Sequence, residues 1–68
     1  MDKPVVHIYN ATDMGDYLVG WCDDHPRFPE GSHVRTSLIV DRRQRMGDLT
    51  IETLNTHYKV VGDLNAGS

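Results

Sequence analysis

Cys22, Asp23, Asp24 and His25 are consecutive in this chain, and His33 follows a few residues later. Zinc takes thiolate, imidazole and carboxylate donors in a tetrahedron, so Cys22, His25 and His33 with Asp24 or His57 could make a ligand set. The paired C-x-x-C of established zinc sites is missing and the spacing matches no known pattern, so neither a metal nor another cofactor is expected. Cys22 or Ser37 could serve as a nucleophile only beside a histidine and an orienting acid. No glycine-flanked nucleophile elbow surrounds either one. A chain of 68 residues also has little room for both a core and a substrate cavity. No catalytic residue is assigned, and the expectation is that the chain is not an enzyme.

Two other clusters suit binding. Asp41-Arg42-Arg43-Gln44-Arg45 is the densest charge run. At a hairpin tip, Arg42, Arg43 and Arg45 could straddle a phosphate backbone or pair with acidic residues, although most such runs are solvated loops. His25-Pro26-Arg27-Phe28-Pro29 instead places an arginine and an aromatic residue between prolines, a pre-ordered pair of the types enriched at binding hot spots. The competing role for Phe28 is a plug at the end of the fold. Tyr17, Trp21 and Tyr58 could stack bases, but a place in the core accounts better for Trp21.

The elements that must hold these residues read as strands. Val5–Tyr9 is β-branched and aromatic, and Asn10 reads as its stop before the turn-rich Thr12–Asp16. Tyr17–Trp21 follows as a strand, then a loop over residues 22–33 stiffened by Pro26 and Pro29. Val34–Val40 alternates with Val34, Thr36, Leu38 and Val40 on one face. It forms a hairpin with Leu49–Thr53 across the polar tip Asp41–Gly47. The apolar parity changes after Thr53, which requires a bulge or turn near Asn55-Thr56 before a last strand at Tyr58–Val61. The expected core is Trp21, Val34, Leu38, Val40, Leu49, Ile51 and Tyr58. Helix has no sustained periodicity behind it. The expected fold is mainly β: a small antiparallel sheet, or an SH3-like or OB-like barrel, of four to five strands. Residues 1–61 form the single domain and 62–68 a flexible tail.

Size and charge limit what such a domain can do. A chain this short has a thin core, and its one cysteine excludes an internal disulfide. A lone cysteine and the lack of a long apolar run indicate a cytoplasmic protein with no membrane association. Net charge is −3, unevenly spread: residues 1–33 carry −4 and residues 34–61 carry +2. That distribution disfavours nucleic-acid binding over the whole surface and leaves one basic patch. Val5–Tyr9 contains no charged or proline guard, so an exposed edge there would favour a homodimer.

His25-Pro26-Arg27-Phe28, Gly31, Val34-Arg35-Thr36-Ser37 and Glu52-Thr53-Leu54-Asn55-Thr56-His57-Tyr58 together resemble a series in small accessory proteins of bacteriophages and prophages. The resemblance spans about two thirds of the chain and carries over no site residues. It implies a phage-encoded accessory protein in the host cytoplasm, for which inhibiting a host defence or regulatory complex would be a typical role, while the balanced charge and the ordered Arg27–Phe28 loop favour a host protein as the partner. The candidate partner-binding residues are Arg27, Phe28, Arg42, Arg43 and Arg45. The alternative is a nucleic-acid-binding barrel that uses the basic tip.

Overall fold

The β-branched run from Val5 forms a strand as expected, but Asn10 does not end it. In the computed structural model, which describes residues 3–67, β1 runs from Val5 to Asp13. Asn10 takes a φ of 51°, the left-handed region that asparagine tolerates better than most residues. Its neighbour β2 (Leu18–Cys22) pairs antiparallel with β1, and the register slips between Tyr9 and Thr12. Asn10 therefore marks a bulge. Val6 and Ile8 point inward before it and Ala11 after it, so the face of β1 reverses while the core stays continuous.

Five further strands complete the sheet: β3 (Ser32–Arg35), β4 (Ile39–Arg45), β5 (Asp48–Thr53), β6 (His57–Val61) and β7 (Asn65–Ala66). The order is β3-β2-β1-β6-β5-β4, with β7 beside β1. The mainly β class holds, and the expectation of an antiparallel sheet of four to five strands is corrected. Among the described residues there are seven strands, and β1 lies parallel to both β6 and β7. Val5–Tyr9, expected as an unguarded edge, lies inside the sheet order, with every residue paired to β6 and Ile8 and Tyr9 paired to β2 as well. Residues 62–68, expected as a tail, contribute β7, and Leu64 packs on the core. Met1, Asp2 and Ser68 lie outside the described residues.

The sheet has to curl. Its two edge strands, β3 and β4, are joined by only Thr36, Ser37 and Leu38. Such a connection reaches roughly 14 Å, whereas six flat strands would separate their edges by about 24 Å. Extents of 26 × 25 × 22 Å fit a rolled sheet and not a flat one. Backbone bonds from Thr36 to Leu18 (2.9 Å), Ile39 to Asp16 (2.7 Å) and Leu54 to Leu38 (3.1 Å) hold the connector. No ladder joins β3 to β4 among the described residues, so the sheet is open.

This corner explains where the expected Val34–Val40 strand fails. The Thr36 hydroxyl accepts a bond from the Leu18 amide and donates to the Ser37 carbonyl, both at 2.9 Å. Such local bonds draw the backbone away from a ladder. The inward parity passes from Val34 and Thr36 to Ile39, and a second irregularity between Ile39 and Asp41 sets Val40 aside. Leu38 and Val40 are exposed, at 56% and 52%, against the expected burial. Trp21 is also outward, because Leu18, Gly20 and Cys22 hold the inner face of β2. Val34, Ile51 and Tyr58 are buried as expected, and Leu49 packs against the core half-buried. The expected hairpin between β4 and β5 is present, but its tip is only Met46-Gly47, both at positive φ, as a two-residue type I′ turn requires.

Two consequences can be measured by denaturant unfolding. Ile51→Ala should cost about 2–5 kcal/mol, while Leu38→Ala should change stability by no more than about 0.5 kcal/mol. A Cβ at Gly20 would stand 2.8 Å from Ile8 Cγ1 and 3.1 Å from the Ala11 Cα. Gly20→Ala should therefore destabilise by about 1–3 kcal/mol through overpacking opposite the bulge.

Candidate functional site

Three separated segments meet at one end of the rolled sheet. The His25–Phe28 turn, the end of β3 with its connector, and the Asn55-Thr56 turn enclose a cleft of about 180 Å³, floored by Tyr58 and His25. Each segment has a local reason for its shape. Pro26 and Pro29 restrict the first, Thr36 bends the second, and the amide of Thr53 donates to the Thr56 carbonyl (2.8 Å) to close the third. Asn55 Nδ2 donates to Ser37 Oγ at 2.9 Å and joins the second segment to the third.

His25 organises the first segment. Its Nδ1 accepts the Arg27 amide at 3.1 Å, so the ring proton lies on Nε2, which donates to Tyr58 Oη at 3.2 Å. Burial, then the nearby Arg27 cation, holds its pKa below the usual histidine value, so the neutral form that accepts from Arg27 is favoured. Tyr58 is pushed above the ordinary phenol range, mainly by burial. Phe28 stacks beside His25 with ring centroids 4.6 Å apart and is still 45% exposed. It covers the histidine instead of plugging the core. Arg27 is exposed, and among the described residues it pairs with no carboxylate. Arg35, which the sequence reading did not single out, lies over the Tyr17 ring at 4.5 Å and lines the same cleft. Its position could not be read from the sequence, because it depends on the corner at Thr36.

The three arginines of the charge run are not together. They lie along β4 and not in a loop, and only Arg45 abuts the turn. Arg42 stands opposite Ile51 and turns to Asp13, with contacts of 2.6 and 3.2 Å, and to the Gly15 carbonyl at 2.8 Å. Its bonds hold the Asp13 carboxyl below the usual range. Arg43 stands opposite Thr50, bonds Asp41 at 2.7 Å and approaches Glu52 at 3.6 Å. Glu52 is also held by Lys3 at 2.6 Å. Two of the three are thus engaged in ion pairs on different faces.

The metal and nucleophile candidates are separated as well. Cys22 faces the core, while His33 is exposed on the outer face and stacks on Trp21 at 4.6 Å. Asp24 is bound to His7 at 2.8 Å. No group of three potential ligands is assembled among the described residues. Burial, then Asp24 and Asp23, pushes the Cys22 thiol up to about 11. A thiol so placed is a poor nucleophile near neutral pH. The proposed stacking series is divided too, because Tyr58 is buried and Trp21 faces out.

No family model matches this chain, and no curated protein or solved structure is measurably similar to it. The geometry of the cleft is then what functional reasoning has to work from. Its walls combine two guanidinium groups, hydroxyls and exposed aromatic surface, with no carboxylate among the lining residues.

The state of His25 can be tested by pH. Its folded pKa is lowered, so the unfolded chain binds the proton more readily. The stability from this group is full above about pH 6.5 and is lost as pH falls from there through the folded value. Protonation also removes the acceptor for the Arg27 amide. His25→Asn keeps an acceptor two residues before that amide but cannot titrate. The wild type should lose more stability than this variant between pH 7 and 5, as measured by denaturant midpoints at each pH.

Proposed function

We propose that this chain is a non-catalytic binding protein of a phage or mobile element that contacts a host protein through the Arg27–Phe28 rim of the cleft. The observation that carries this reading is an exposed arginine-aromatic pair on a turn already ordered by His25, Pro26 and Pro29. Pre-ordering lowers the entropic cost of association, and arginine and aromatic residues dominate measured hot spots. The rolled sheet is read as a small barrel of SH3-like or OB-like form, with the contact site at one end. Inhibition of a host defence or regulatory complex in the host cytoplasm is the role that the phage resemblance suggests.

The nucleic-acid reading is the weaker of the two. A phosphate backbone rewards several free cations in a row, and Arg42 and Arg43 are already paired with Asp13 and Asp41.

Affinity capture from host lysate, followed by titration of the purified partner, tests the proposal. Arg27→Ala and Phe28→Ala should each weaken binding by about thirtyfold or more, while circular dichroism shows the fold intact. Arg43→Ala with Arg45→Ala should leave the affinity within about threefold. Full binding by both rim variants would place the contact elsewhere.

A further inference from the structure

The cleft's hydrogen-bonding capacity is unbalanced, and the imbalance indicates what it takes. Because Nδ1 of His25 is occupied by the Arg27 amide, Nε2–H must be the donor to Tyr58. Tyr58 Oη is therefore an acceptor in that bond, with the Thr56 hydroxyl as its other hydrogen-bonding neighbour. Ser37 Oγ likewise accepts from Asn55 Nδ2 and retains its hydroxyl proton. The Arg35 guanidinium carbon lies 4.5 Å over the centre of the Tyr17 ring, a contact that spends none of its N–H donors. Arg27 adds a second cation at the rim. His25, Thr56 and Tyr58 are each at least nine-tenths buried and give the cleft a fixed polar floor, while Arg27 and Arg35 stand exposed above it as charged donors.

We infer that this cleft binds a carboxylate of the partner protein, seated between Arg27 and Arg35 with the Tyr58 and Ser37 hydroxyls beneath it and an adjoining apolar group against Phe28. The inference rests on the reading of the Arg27–Phe28 rim as the contact surface, and it names the chemistry recognised there. A volume of about 180 Å³ suits one side chain or one chain end. Two cations suit a single carboxylate better than a polyanion, and the chain's net charge of −3 opposes a nucleic acid further. Phe28, Pro4 and Pro26 give the apolar flank that a phosphate backbone would not use.

The test is a titration of the isotope-labelled whole chain, followed by backbone amide shifts. The probes are N-acetyl-leucine (a chain-end carboxylate), N-acetyl-aspartate amide (a side-chain carboxylate), N-acetyl-leucinamide, inorganic phosphate and a short oligothymidylate. At least one carboxylate should saturably move the amides of Arg27, Phe28, Arg35, Ser37 and Asn55, and the leucinamide should not. The stronger of the two carboxylates identifies a chain end or a side chain as the source. Arg35→Gln should weaken that binding tenfold or more, and Arg45→Gln should leave it unchanged. Oligothymidylate or phosphate binding the cleft more tightly than either carboxylate would overturn the assignment in favour of a phosphate ligand. If no carboxylate binds while Arg27→Ala still abolishes capture of a host protein, the contact surface stands and the carboxylate inference falls. If a carboxylate binds the cleft while capture is indifferent to Arg27, the inference survives and the proposed contact surface fails.

Discussion

The left-handed turn of one residue, Asn10, lets a single strand organise both halves of the molecule. Before it, β1 pairs with β6; after it, the same edge pairs with β7. On the other side β2 pairs with β1 both before and after the bulge, from Ile8 to Asp13, by accommodating the extra residue. Without the bulge, Ala11 would point outward and the row of Val6 and Ile8 would end halfway along the sheet. Gly20 belongs to the same device, since its missing Cβ is what allows Ile8 and the Ala11 backbone to approach. The parallel pairing of β1 with β6 then closes the core over Tyr58 and Ile51, and through Tyr58 it sets the floor of the cleft.

Elements whose alternation and turn chemistry agree were legible from the sequence. The β4–β5 hairpin, the break near Asn55-Thr56 and the strand at Tyr58–Val61 all follow from local pattern. What could not be read lies where a local cue has two outcomes. Asparagine ends strands and also occupies bulges, and only the partner strand decides between them. The alternation from Val34 to Val40 is a sound strand signal, yet the Thr36 hydroxyl finds Leu18 and bends the chain into a corner. That one side-chain bond shifts the inward parity and exposes Leu38 and Val40. The parallel pairings and the short β7 depend on distant contacts that no local window contains.

The site divides in the same way. Arg27 and Phe28 could be singled out because residue type and flanking prolines are local properties. Arg35 could not, since its place at the cleft depends on the corner and on Tyr17 beneath it. For the arginine run, composition was misleading. On β4 these charges lie along an edge strand, where they oppose pairing with another chain. The other edge, β3, is only four residues long and offers little to pair with. Ion pairs to Asp13 on β1 and Glu52 on β5 tie the charged edge to its own sheet.

The acids and bases near the His25 turn are also sorted by position. Asp23 accepts from Tyr9 at 2.7 Å and Asp24 accepts from His7 at 3.0 Å through its backbone amide. Both carboxylates that begin the loop are thus bound to the outer face of β1, away from the cleft. The turn leaves that anchorage at His25 and presents Arg27 and Phe28 on the far side. A loop held at one end by two carboxylate bonds and in the middle by a buried histidine has little freedom left for its exposed residues to lose. The thin core of a chain this size limits what it can spend on ordering a flexible contact loop. Ordering the loop on folding, with bonds that belong to the sheet itself, is how so small a domain keeps a defined exposed surface.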